Sequence, residues 1–123
     1  MSLTSRFRSG FENRVAIDLE LNGVGFGYET QKVKYLKPPQ DSTYTPDFIL
    51  DSGVIVECKG VLKLEDRKKH LWIKEQHPTL DIRFCFQRAK NTIRKGSKTT
   101  YGEWANKHGF KWCEKRIPKS WGI

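Results

Sequence analysis

Asp47, Glu57 and Lys59, in the stretch PDFILDSGVIVECKG at 46–60, are the residues of this sequence whose types and spacing could do chemistry together. Two apolar segments flank Asp51-Ser52-Gly53, and a three-residue loop with Gly53 in the left-handed conformation would close them into a β-hairpin. Counting outward from that loop, Leu50 pairs with Val54, Ile49 with Ile55 and Asp47 with Glu57. Directly opposed side chains have Cβ atoms about 4.5–5.5 Å apart. The two-residue period of a strand puts Lys59 on the face of Glu57. Two carboxylates opposed in this way repel unless a cation lies between them. Lys59 is one candidate, and a divalent metal such as Mg²⁺, which takes carboxylate oxygens, is another. The plainer alternative is a surface hairpin whose acid pair is neutralised by the lysine.

Charge distribution favours a polyanionic partner. The net charge is +9, yet residues 1–60 hold 7 Lys/Arg against 8 Asp/Glu, while residues 61–123 hold 16 against 6. Between Asp81 and Glu103 there is no acid, whereas Arg83, Arg88, Lys90, Arg94, Lys95 and Lys98 are basic. Such a field attracts nucleic acid first and an anionic membrane second. Alone, it is equally compatible with a solvated basic face.

The elements that must position these residues belong to one domain spanning 1–123. Ser9 through Asn22 reads as a helix, with Phe11, Val15 and Leu19 at four-residue steps and a Ser9/Glu12 capping box at its start. Residues 26–36 read as a strand, and KPPQDSTYTP at 37–46 as a stiff connector. Strands are expected at 45–50 and 54–59, a helix at 64–77 ended by Pro78, and a strand at 81–86. A basic loop at 87–98, a helix capped by Thr100 and Glu103, and a last strand at 110–113 complete the order α-β-β-β-α-β-α-β. That order is an α/β fold, a mixed sheet flanked by helices.

Cys58, Cys85 and Cys113 are widely spaced and odd in number, which reads as buried thiols rather than a zinc or disulfide framework. His70, His77 and His108 show no metal-ligand spacing. No apolar run approaches a membrane span and the first ten residues lack a signal-peptide core, so a cytoplasmic protein is the expectation.

Pro46-Asp47, nine further residues and then Glu57-Cys58-Lys59 resemble the P-D…(D/E)-x-K signature of the restriction-endonuclease-like nucleases. The similarity widens along the chain. FRSGFE at 7–12, YTPDFIL at 44–50, VECKG at 56–60, DRKKHLWIKEQHPTLDIRF at 66–84 and YGEWANKHGFKW at 101–112 together resemble the T-odd bacteriophage endonuclease I family of Holliday-junction resolvases.

That resemblance implies a restriction-endonuclease-like sheet, a domain-swapped homodimer and metal-dependent hydrolysis of branched DNA. It places the catalytic set on Glu12, Asp47, Glu57 and Lys59. Asp47, Glu57 and the main-chain carbonyl of Cys58 would hold one Mg²⁺ or Mn²⁺, Glu12 would help hold a second, and Lys59 would orient the attacking water. The connector at 37–46 would be the β-bridge that exchanges the N-terminal helix and strand, so that each site takes Glu12 from the other subunit. No small-molecule cofactor and no membrane are implied. Arg67, Lys68 and Lys69 at the start of the second helix, with Arg94, Lys95 and Lys98 in the basic loop, are the expected phosphate contacts, reading shape rather than sequence. The chain has little basic extension before Arg6 or beyond Trp121 compared with the family prototype, which implies weaker junction affinity. Two other readings remain: a nuclease of the same superfamily acting on linear, mismatched or single-stranded DNA, and a basic binding module without catalysis.

Overall fold

The computed structural model describes residues 7–37 and 40–123. The elements are α1 (Gly10–Leu21), β1 (Phe26–Tyr28), β2 (Val33–Lys37), β3 (Gln40–Tyr44), β4 (Phe48–Leu50), β5 (Ile55–Lys59), α2 (Leu64–Gln76), β6 (Ile82–Phe86), α3 (Tyr101–Lys107) and β7 (Trp112–Glu114). A five-stranded mixed sheet runs β1-β4-β5-β6-β7, and β2 and β3 form a separate two-stranded sheet. β1, β4 and β5 are antiparallel neighbours, while β5, β6 and β7 are parallel. The parallel pairs are joined through α2 and α3, as parallel strands require a crossover.

The hairpin has the expected register: Phe48 opposes Val56, Ile49 opposes Ile55, and the Leu50 amide donates to the Val54 carbonyl at 2.9 Å. Gly53 closes the loop at φ +94. Beyond shifts of a few residues at strand ends, two elements differ from the sequence reading. The strand expected over 26–36 is broken at Glu29, which sits at φ +51, and resumes as β2. The expected connector contains β3, because Gln40–Tyr44 finds ladder partners along β2 from Lys37↔Gln40 to Val33↔Tyr44. The Pro38-Pro39 pair on which the stiff connector rested lies outside the described residues.

The sheet separates two apolar layers. Ile82, Phe84 and Phe86 face α2 and α3 with Ile55, Ile73, Trp104 and Phe110. Val15, Ala16 and Leu19 of α1 cover Phe48, Leu50, Val56, Cys85 and Cys113 on the other face. Cys58, Cys85 and Cys113 are free thiols in register on β5, β6 and β7, so the cysteines serve as small apolar residues beneath α1. His70 is fully buried, its ring edge-on to Tyr44 and Phe84. Burial, with Lys59 and Lys69 nearby, pushes its pKa well below the usual histidine range. No helix among the described residues is long and apolar enough to cross a membrane.

Candidate active site

Period-two alternation sends Val54, Val56 and Cys58 toward α1 and leaves Glu57 and Lys59 on the α2 face, at the carboxyl end of β5. Asp47 precedes β4 and turns its Oδ2 onto the Cys58 amide, which donates at 2.9 Å. Glu57 is 5% exposed. Its Oε1 accepts the Tyr44 hydroxyl at 2.8 Å, and its Oε2 lies 3.5 Å from Lys59 Nζ. Lys59 is held from its other side by Asp66 at 3.3 Å. Asp66 is itself fixed at the start of α2, where its Oδ2 accepts the Lys63 amide at 3.1 Å.

Glu12 arrives from α1. Ser9 caps that helix by accepting the Glu12 amide at 3.0 Å, so half of the expected capping box forms. The Glu12 carboxylate points into the cleft and accepts the Tyr28 hydroxyl at 3.2 Å. Glu29 completes the acidic group. Its amide donates to the Asp47 carbonyl at 3.1 Å, and oxygens of Glu12, Glu29 and Asp47 lie within 4.8 Å of one another. Arg8 balances Glu29 at 3.8 Å. Glu57 stands outside this closest set, and Tyr44 and Lys59 engage its two oxygens.

The electrostatics follow from crowding. Burial first, then the Glu57 charge and the contact with Glu12, push the Asp47 carboxyl up to about 9. Burial also raises Glu57, against the opposing pull of Lys59, Tyr44 and Lys69. Desolvation alone would lower Lys59, yet Glu57 and Asp66 outweigh it and keep the ammonium charged. A divalent cation fits this donor set: several hard oxygens stand too close together to be ionised at once without one. The cleft that they line has a volume of about 400 Å³ and also presents Lys69 and Gln87.

The structure therefore brings Glu12, Asp47, Glu57, Cys58 and Lys59 together within one chain. Of the expected phosphate contacts, Lys69 lines the cleft and its Nζ stands 5.1 Å above the Tyr44 ring. Arg67 donates to the Ile93 carbonyl at 3.3 Å and so braces the basic loop against α2. Lys68, Arg94, Lys95 and Lys98 are exposed. Two residues escaped the sequence reading. Glu29 is placed by the β1–β4 register, which no local pattern encodes, and Tyr44 fell within the presumed connector.

Comparison with known proteins agrees with the motif. The family model for phage endonuclease I matches residues 1–122. "Endonuclease I" of Escherichia phage T7 is 51% identical over 115 residues, covering 94% of this chain and 77% of that protein. "Endodeoxyribonuclease 1" of Enterobacteria phage T3 is 49% identical over 112 residues, covering 91% of this chain and 74% of that protein. With the hairpin, the acidic cleft and this likeness in place, the chain belongs to the phage endonuclease I family and is an endodeoxyribonuclease.

Proposed function

We propose that this endonuclease is metal-dependent and structure-selective, resolving four-way and other branched DNA junctions as a homodimer. The observation that carries the metal dependence is the crowding of Glu12, Asp47 and Glu57 around a charged Lys59, which a cation would relieve. Asp47, Glu57 and the Cys58 carbonyl would hold one Mg²⁺ or Mn²⁺, and Glu12 would help hold a second. When bound, such ions lower the pKa of water and stabilise the entering and leaving oxygens of an in-line displacement.

The chain's own groups have separable tasks. On taking up a cation Asp47 would release to solvent the proton that crowding makes it keep, and its Cys58 contact holds Oδ2. Tyr44 and Lys59 fix the orientation of Glu57. Lys59, anchored by Asp66, orients the attacking water and steadies charge on the phosphate. Lys68, Lys69, Arg94, Lys95 and Lys98 hold the substrate through phosphates, which favours shape over base sequence.

The dimer reading rests on β2 and β3. In the single chain they pair as a hairpin, and Glu12 meets Asp47 of the same chain. The same strands, pairing with those of a second chain instead of with each other, would deliver α1 and Glu12 to a partner. Two sites related by a two-fold axis then face two strands of a junction.

The test is cleavage of a labelled four-way junction beside a linear duplex of the same arm sequence, each with Mg²⁺ and with chelator. Paired, metal-dependent nicks near the branch point with the duplex spared are expected. Equal cutting of both substrates removes junction selectivity, and cutting in chelator removes the metal.

A further inference from the structure

We propose that Arg14, Lys115 and Arg116 form a second phosphate-binding shelf, which takes the DNA backbone one to two phosphates away from the bond being cut. The inference rests on the proposed function for the position of that bond beside Lys59. None of the three belongs to the basic surface of α2 and the 87–98 loop. That surface lies with the α2–α3 layer, whereas the shelf lies with α1 and the far edge of the sheet.

Sheet register gives the direction. Lys59, Phe86 and Glu114 are partners across β5, β6 and β7, so Gly60, Gln87 and Lys115 follow as a row at the carboxyl ends of three parallel strands. Ligands of open sheets with parallel strands collect at that edge. Two strand spacings separate β5 from β7, about 10 Å at the usual 4.8 Å per step. Phosphates on one DNA strand rise about 3.4 Å along the helix axis and lie roughly twice as far apart through space, which places Lys115 one to two phosphates along.

The surface between them is continuous. A cavity of about 350 Å³ is bounded by Arg14, Lys115 and Arg116, and it shares Phe11 and Gln87 with the catalytic cleft. Gln87 joins the two regions: its amide donates to the Lys59 carbonyl at 3.0 Å, and its Oε1 would lie 3.2 Å from a Cβ placed at Gly60.

Charge and shape both suit a sugar–phosphate backbone. Among the described residues, Arg14, Lys115 and Arg116 enter no ion pair. The neighbouring acid Glu114 is turned away to accept the Ala89 amide at 2.9 Å, leaving Asp18 as the acid on the shelf. Ile17 and Leu21, 36% and 81% exposed, supply an apolar wall against which a sugar can rest. Lys115 sits at φ +65, and its backbone N–H donates to the Phe86 carbonyl at 2.8 Å, which fixes its Cα at the end of the row.

The test is salt-dependent binding of a four-way junction and of a duplex in chelator. It compares the wild type, the triple variant Arg14→Gln/Lys115→Gln/Arg116→Gln, and a control in which Lys107, Lys111 and Lys119 become Gln. Loss of two to three phosphate contacts should flatten the slope of log affinity against log salt by about 2–3 and weaken binding at least tenfold at moderate salt. The control should change the slope by less than half as much. Unchanged thermal midpoints and Mn²⁺ affinity separate this effect from misfolding. An unaltered slope in the shelf variant, or an equal loss in the control, overturns the shelf alone. A wild type that binds neither DNA overturns the functional reading instead.

Discussion

Replacing Asp47 by Asn should make the metal-free protein more stable above neutral pH while removing its capacity to take up metal. Burial, the Glu57 charge and the Glu12 contact raise the Asp47 carboxyl from its usual 3.8 to about 9. The folded chain therefore keeps a proton that the unfolded chain has released. Stability falls with pH wherever the folded state binds the extra proton, by about 1.4 kcal/mol per pH unit for one proton. The penalty is absent below 3.8, grows as pH rises toward about 9, and is constant beyond. Between pH 5 and pH 7 the upper figure is about 2.7 kcal/mol, and solvent reaching the half-buried carboxyl brings the expected loss to about 1–2 kcal/mol. Asn keeps an oxygen for the Cys58 amide and offers its own amide toward Glu12, as the protonated acid does. Urea unfolding in chelator across this range should show the wild type losing stability and Asp47→Asn losing at most half as much. The variant does not become wholly flat, because Glu57 is raised as well. Mn²⁺ at a hundred times its Kd should stabilise the wild type by about 2.7 kcal/mol. Binding should release roughly one proton per ion, and the variant should show neither effect. A flat wild-type curve, or a variant that keeps the whole slope, would refute the reasoning from crowded acids.

Tyr44→Phe retains the ring beneath Lys69 and against His70 but strands a buried oxygen of Glu57. It should cost about 1–2 kcal/mol of stability and weaken Mn²⁺ binding several-fold in a calorimetric titration; equal affinities would remove Tyr44 as the group that orients Glu57. Co-expressed Glu12→Ala and Glu57→Ala chains should recover one working site per heterodimer if α1 is exchanged between subunits. No nicking by purified heterodimers would leave Glu12 serving its own chain. Gly102→Ala would place a Cβ 2.7 Å from the Trp112 ring. It should destabilise by about 1–2 kcal/mol although Ala is the better helix former; an unchanged urea midpoint would show that the ring yields freely.

The hairpin was legible because two local signals agree there: Gly53 fixes the loop, and alternation fixes which side chains share a face. Asp47, Glu57 and Lys59 could be grouped from that register alone. Their neighbours could not. Glu29 reaches Asp47 through the pairing of β1 with β4 and a left-handed backbone that its residue type does not announce. β3 was hidden because Asp41 and Ser42 are turn formers, and the ladder that β2 supplies overrides that preference. His70 gave no warning of its burial, since the charged residues of α2 obscure the short apolar stripe that it shares with Ile73. The tie from Arg67 to the Ile93 carbonyl was not legible either, because that carbonyl comes from a loop 26 residues away.

Parallel binding and cleavage of one four-way junction by the wild type and by Glu57→Ala, with Mg²⁺ and with chelator, tests the central claim most directly. The two proteins should bind the junction alike in chelator, and only the wild type should cut it when Mg²⁺ is restored. Undiminished cleavage by Glu57→Ala would contradict a carboxylate-held metal as the catalytic centre, and loss of binding together with cleavage would show that this acid holds the fold rather than the chemistry.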